Sequence, residues 1–281
     1  MNVYIDVENW GFPDENKKFH FFSRHTPNNT GIWNSLNLVR DYRDADCVVC
    51  FDKDCKNHQA NGKLVIQVRQ EPALIQAYSR YPLADAYVDY QSDMHATFWF
   101  IDKPYAILDG LKYAEAIIEK KSDCSAIFSN KHHFRNMFFS ALSKAQIDID
   151  YFGRGIETIV DTRSYRGPLI KNGLCKFEGL LPYQKSIAIE NSQQMNYFTE
   201  KLVDCFMTWT LPIYYGCPNI LEIFPCESIR IIDNINDIES VIEKITPPVT
   251  KIEIEAMEYS RQLAMKKYNF WAALERAIER I

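Results

Sequence analysis

Glu190 and Asn191 follow directly on an apolar run, and Thr199, Glu200 and Lys201 stand a few residues further on, just before a greasy stripe. The spacing predicts a helix that starts near Tyr197 and carries Glu200 and Lys201 in its first turn. Such a helix start presents free backbone N–H groups and the positive end of the dipole, which suits a phosphate. Lys201 adds a full positive charge there. Glu200 has two readings. It is ordinary helix-start chemistry, favourable to the dipole, or it is a carboxylate placed to accept hydrogen bonds from ribose or sugar hydroxyls. A nucleotide sugar supplies both the diphosphate and the hydroxyls that such a cluster would hold.

Other chemistry-bearing groups weigh less. Asp52-Lys53-Asp54 and Asp148-Ile149-Asp150 fit an Asp-x-Asp metal pattern, but two carboxylates at that spacing are common by chance. The first lies outside the half that carries the Lys201 cluster, and the second reads as strand alternation. Cys47, Cys50, Cys55 and His58 form a C-x2-C-x4-C-x2-H run. The first two sit inside an apolar strand pattern with no turn between them, so buried reduced thiols are the reading. No residue is assigned to a metal. His132-His133 and His95 read as surface or structural histidines.

These groups need elements to position them. Val3–Val7, Cys47–Phe51, Leu64–Val68 and Ala86–Tyr90 read as strands, and Trp33–Tyr42 reads as a helical patch. Asp102-Lys103-Pro104 marks a turn, and Tyr113–Lys121 a helix. A second series follows. Strands are expected at Ser125–Ser129, Ile147–Phe152, Ser186–Glu190, Leu211–Tyr215 and Ser228–Asp233. Helices with apolar residues at i, i+3, i+4 and i+7 fall between them, the clearest carrying Leu202, Cys205, Phe206 and Trp209. A last helical stretch carries Trp271, Leu274 and Ile278 on one side. Repeated βαβ units imply parallel sheets, with ligands beyond the C-terminal strand ends. The expected organisation is an α/β chain of two Rossmann-like domains facing a cleft. Residues 1–102 form an N-terminal domain, 103–123 a linker helix and 124–281 a C-terminal domain. The final helix either crosses back over the cleft or lies weakly on a membrane surface.

The 281 residues are 47% hydrophobic, enough to bury two cores. A net charge of −5 gives no basic field for nucleic acid. The N-terminus lacks a basic n-region and a long apolar run, and no stretch of 18 apolar residues occurs. The location expected from this is cytoplasmic or membrane-peripheral, with at most peripheral membrane contact.

Glu190-Asn191-Ser192, then Tyr197, Thr199-Glu200-Lys201-Leu202, then Pro212-Ile213-Tyr214-Tyr215-Gly216, resembles the donor-site signature of the α-1,3/1,4-fucosyltransferases, glycosyltransferase family 10. That family shows Phe-Glu-Asn-Ser/Thr, then Tyr-x-Thr-Glu-Lys, then Pro-x-x-x-Gly after one helix. Ile189 replaces the usual Phe. Ser129-Asn130 with Arg135-Asn136 resembles an upstream segment whose Arg contacts the diphosphate. Tyr151-Phe152-Gly153-Arg154 is similar to a Phe-Gly-Arg strand end. The good match covers roughly Ser125 to Ile245. In the first hundred residues only Arg69-Gln70-Glu71-Pro72 echoes the family, where a catalytic Glu precedes a Pro.

The resemblance implies a GT-B type fold with the donor in the C-terminal domain and the acceptor in the N-terminal one. It implies inverting transfer of L-fucose from GDP-fucose to an oligosaccharide or glycan acceptor, most simply in α-1,3 linkage to GlcNAc or Glc. Glu71 is then the catalytic base. Arg135 and Lys201 take the diphosphate, Glu200 takes hydroxyls, and Asn191 and Tyr197 contact nucleotide or fucose. Arg154 is a further phosphate or guanosine contact, or a surface Arg. No cofactor is required, with Mn²⁺ or Mg²⁺ stimulatory at most. A transferase using another GDP-sugar, and an idle nucleotide-sugar or glycan binder, remain as alternatives.

Overall fold

Strands buried on both faces read as continuous apolar runs, and such strands build parallel sheets covered by helices. Cys47–Phe51 is of this kind, buried at every position. The computed structural model describes residues 1–7, 10–51, 58, 61–69, 84–90, 96–169 and 176–281. The first sheet contains β1 (Asn2–Asp6), β2 (Ile32–Trp33), β3 (Leu36–Leu38), β4 (Cys47–Phe51), β5 (Leu64–Arg69) and β6 (Ala86–Asp89) in the order β2-β3-β1-β4-β5-β6. All its pairings are parallel except the β2–β3 hairpin. Helix α1 (Glu15–Ser23) follows β1, and the Asp14 side chain caps it by accepting from the Lys17 amide.

That hairpin corrects the helical patch expected over Trp33–Tyr42. Asn34 adopts a left-handed conformation (φ 47°), which an asparagine tolerates, and turns the chain tightly. Trp33, Leu36 and Leu38 are buried. The i, i+3 interval between the first two imitates a helix, but it spans the turn of a hairpin.

Two helices connect the sheets, α2 (Tyr105–Gly110) and α3 (Tyr113–Glu119), where the sequence predicts one. The second sheet contains β7 (Ser122–Ile127), β8 (Ile149–Phe152), β9 (Tyr183–Ile189), β10 (Leu211–Tyr215) and β11 (Arg230–Ile231) in the parallel order β11-β10-β9-β7-β8. Its helices are α4 (His133–Lys144), α5 (Phe177–Leu180), α6 (Glu200–Met207), α7 (Ile220–Ile223), α8 (Ile238–Ile245) and α9 (Lys251–Lys266). Thr250 and Glu253 form a capping box at the start of α9, and both Glu253 oxygens also take the Arg230 guanidinium, at 2.7 and 3.1 Å.

The chain then returns to the first sheet. Thr97 and Asn269 form a parallel bridge, with Thr97 N–H on the Tyr268 carbonyl and Phe270 N–H on the Thr97 carbonyl. Helix α10 (Phe270–Glu279) packs against β5 and β6. Phe270 stacks on Phe98, and the Trp271 indole donates to the Phe22 carbonyl at 3.0 Å. Phe22, Phe51, Phe98, Phe270 and Trp271 belong to one buried cluster that runs on into the second domain through Phe206 and Phe224. Among the described residues no helix is long and apolar enough to cross a membrane.

Candidate active site

β9 and β10 end side by side, and the first residue beyond β9 is Glu190, only 1% exposed. Its carboxylate accepts from the Thr199 amide and the Thr199 hydroxyl, both at 2.8 Å, and from Lys201 Nζ at 3.3 Å. Gly216, beyond β10, leaves room for this. A Cβ there would stand 2.5 Å from both Glu190 Cγ and the Tyr214 hydroxyl. The Pro-x-x-x-Gly spacing therefore has a physical reason: it brings a residue without a side chain to the flank of a buried carboxylate.

Thr199, not Tyr197, begins the helix. It caps α6 and accepts from the Lys201 amide, so Glu200 is the first helical residue. Asn196 has a left-handed conformation, which interrupts any helix there, and Tyr197 packs edge-on against Tyr90 of the first domain. Lys201 Nζ lies 3.4 Å from Glu200 as well as 3.3 Å from Glu190. Burial opposes its charge, but the two carboxylates outweigh burial and raise its pKa. Glu200 is held below the ordinary carboxyl range: burial works against it, and Lys201 and Lys176 prevail. Lys176 bridges Glu200 at 3.4 Å and Asp204 at 3.0 Å. Burial and the neighbouring Glu200 charge push Asp204 up to about 6 despite Lys176. Asp204 also accepts from the Phe100 amide at 2.7 Å, tying α6 to the segment that enters from the first domain.

Arg135 comes from the first turn of α4 and is 5% exposed. One guanidinium nitrogen lies 3.5 Å from the Ile189 carbonyl, and its Nε is buried without a hydrogen-bond partner. Burial lowers its pKa, opposed by Glu190 and Glu200. His132, the α4 cap residue, is lowered by burial and by the positive field of Arg135 and Lys201.

These groups form one wall of a cleft of about 920 Å³ between the two domains. Lys176, Asn191, Tyr197, Thr199, Glu200 and Lys201 line that wall. Trp10, Phe12, Lys17, His20 and Arg24 line the opposite one, with Phe98 and Phe100 between. Asn191, Tyr197, Glu200 and Lys201 are thus brought together at the cleft, and Arg135 lies behind them. Arg154 is exposed beyond β8 and is absent from the lining, although its carbonyl accepts from the Asn130 amide. Gly153 fits there because a Cβ would meet the Phe128 carbonyl at 1.7 Å. Glu71, Asp52, Asp54, Cys55 and His95 lie outside the described residues. Asp150 is engaged by the Tyr183 hydroxyl and by Arg166.

Lys176, Arg24, Lys17, His20 and Trp10 are absent from the residues picked by sequence. Trp10-Gly11-Phe12-Pro13 has a legible signal, being a Gly/Pro loop straight after a strand's C-terminal end, where ligands sit in such sheets. For Lys176 and Arg24 no spacing or motif singles them out. Chemically, Lys176, Lys201 and Glu200 at the wall can hold a polyanion and hydroxyls together: Glu190, Glu200 and Asp204 keep the two lysines charged despite burial, and the α6 terminus adds its dipole.

Comparison with known proteins agrees with this architecture. The model of the glycosyltransferase family 10 (fucosyltransferase) C-terminal domain matches residues 117–267, more than half of the chain. An α-(1,3)-fucosyltransferase of Helicobacter pylori is 29% identical over 127 residues, which are 45% of this chain and 24% of that protein. The match thus spans about a quarter of that relative's length. The crystal structure of an α1,3-fucosyltransferase with GDP-fucose aligns with 99% of this chain and 88% of its own at 17% identity, TM-score 0.51. A T4 phage BGT mutant in complex with UDP-glucose aligns with 99% of this chain and 100% of its own at 10% identity, TM-score 0.54. These likenesses give the fold, the two-domain GT-B arrangement. On the match over residues 117–267, the chain belongs to glycosyltransferase family 10, the fucosyltransferase family.

Proposed function

We propose that the chain is an inverting transferase that moves L-fucose from GDP-fucose to a hydroxyl of a glycan acceptor, in α-1,3 linkage to GlcNAc or Glc. One observation carries this reading. The capped N-terminus of α6, with Lys201 and Glu200 in its first turn, faces an inter-domain cleft in a member of this family. The diphosphate sits against that terminus, with Lys201 and Arg135 offsetting the charge that grows on the departing GDP. Glu200, fixed between two lysines, accepts from sugar or ribose hydroxyls, and Asn191 and Tyr197 shape the rest of the donor pocket. Arg154, outside the lining, acts at most on an outlying part of the nucleotide.

Inversion needs a base on the acceptor side, opposite the leaving group. Glu71 takes that role in the proposal. Two other carboxylates of the first domain are already committed: Asp85 accepts from the Val65 amide at 2.7 Å, and Asp89 lies 3.6 Å from Arg69. Fixed cations do the neutralising, so no metal is required and Mn²⁺ or Mg²⁺ is at most stimulatory. The acceptor occupies the Trp10–Arg24 wall, where aromatic faces suit a sugar ring.

The test is calorimetry with GDP, GDP-fucose and GDP-mannose, followed by transfer to lactose- and lactosamine-type acceptors in Mn²⁺- and Mg²⁺-free buffer. GDP-fucose binding and an α-linked product are expected. Preference for another GDP-sugar would replace the donor, and nucleotide binding without transfer would make the chain a binder. Dependence on either ion for all activity would replace the fixed-cation account.

A further inference from the structure

We propose that Asp6, Cys50 and His58 form a zinc site on the outer face of the first sheet, apart from the cleft. One ligand atom from each of the three lies within 4.8 Å of the others. The geometry comes from the sheet itself. Asp6 and Cys50 are direct register partners on the parallel strands β1 and β4, so their side chains share a face. The face is the one away from the main core: Cys50 packs with Val48 and Val65, whereas Cys47, an odd number of residues away, packs with Val49 and Phe51 on the other side. Cys47 therefore drops out of the cysteine run seen in the sequence, and Asp6 enters from a distant strand. His58 arrives from the segment after β4, with Nε2 2.7 Å from the Asp6 carboxylate and its ring 5.2 Å from that of Tyr42. None of the three lines the cleft.

The donor set selects the ion. One thiolate, one imidazole and one carboxylate, completed by a water as fourth ligand when the ion binds, suit Zn²⁺ over Mg²⁺ or Ca²⁺, which prefer all-oxygen shells. Tetrahedral zinc at ordinary bond lengths separates its ligand atoms by roughly 3.4–3.6 Å. Small side-chain rotations cover the difference from the observed cluster, and the ion takes the place of the His58–Asp6 hydrogen bond. Binding releases the Cys50 proton to solvent. The bound ion would pin the end of β1 to β4 just ahead of Trp10, and so fix the loop that forms the acceptor wall.

The experiment is a Co²⁺ titration of reduced, chelator-dialysed protein. Thiolate-to-cobalt absorption in the near ultraviolet should saturate at one equivalent and be bleached by Zn²⁺. Cys50→Ser should abolish it. Asp6→Asn and His58→Ala should weaken Co²⁺ binding by at least roughly 10-fold, the loss that even an outer partner of a metal site causes. No such absorption in the parent protein overturns the proposal, as does an unchanged band in Cys50→Ser. Should Cys50→Ser fail to fold, unchanged affinity in both of the other variants overturns it equally.

Discussion

Replacing Lys201 with alanine separates two jobs that the fold gives to one ammonium. The first is structural. Lys201 Nζ lies 3.3 Å from the Glu190 carboxylate, whose side chain is fully buried. Stripping the partner from a buried ion pair costs about 3–5 kcal/mol. Glu190 keeps both Thr199 donors, and Lys201 is itself 18% exposed, so the low end applies. In a chain of 281 residues about 3 kcal/mol lowers the melting temperature by roughly 5 °C. The second job is donor binding. Loss of one charge-assisted contact to the diphosphate costs about 1.5–3 kcal/mol, or roughly 10- to 150-fold in Kd for GDP. Calorimetry well below the melting transition measures this second effect in folded protein. The double variant Glu190→Gln, Lys201→Ala divides the two further. A glutamine oxygen still accepts from Thr199 but leaves no buried charge, so much of the thermal stability should return. GDP affinity should not. Unchanged GDP affinity in Lys201→Ala refutes the phosphate contact. Affinity restored in the double variant also refutes it, because the loss then came from the unmasked Glu190 carboxylate repelling the ligand.

Gly216→Ala should destabilise by about 1–3 kcal/mol, since its new methyl meets Glu190 and the Tyr214 hydroxyl at 2.5 Å; an unchanged urea midpoint would remove the close-approach argument. Glu253→Gln should cost about 1–3 kcal/mol near neutral pH through the lost charge on Arg230. Glu253 has a lowered pKa in the folded state: burial works against this, and Arg230 and the Thr250 contacts outweigh it. Its stabilisation is therefore present above its ordinary value of 4.5 and lost as pH falls through the lowered one, so denaturation curves of parent and variant should converge in acid. A gap that stays constant down to pH 2 contradicts that linkage. Glu71→Gln should slow transfer by roughly 10²–10⁴ with GDP affinity intact; normal turnover would move the search for a base to Asp93, a carboxylate of the same half that lies outside the described residues.

Where the sequence pattern and the fold agree, the reason is local. β4 and β10 match their apolar runs residue for residue, because a strand buried on both faces has no other composition. Glu190, Glu200 and Lys201 are legible because a helix start and a strand end each leave a mark within a few residues. The start of α6 is displaced to Thr199 because Tyr197 and Phe198 are buried by contacts with distant residues, Tyr90 and Tyr268 among them. Arg24 shows the limit more sharply. It is buried against Asp102 and the Trp99 carbonyl, far along the chain, and burial lowers its pKa to about 10. Nothing near Arg24 in the sequence announces those partners. Lys176 is hidden likewise, since Asp204 and Glu200 reach it only once α6 has docked.

The return of α10 to the first sheet bears on how the chain is made. Phe270, Trp271, Ala273 and Leu274 are fully buried, and Trp271 reaches the carbonyl of Phe22. A ribosome releases β1 to β6 long before it releases residues 270–279. Until then the face of β5 and β6 that α10 covers, and the phenylalanines beside it, have no native cover. The second sheet draws its strands from one continuous stretch and can assemble as it emerges. Synthesis order and completion order are therefore opposed: the domain translated first is finished last. Nascent chains stalled before Phe270 should hold a protease-resistant second domain and a first domain still open to chaperones.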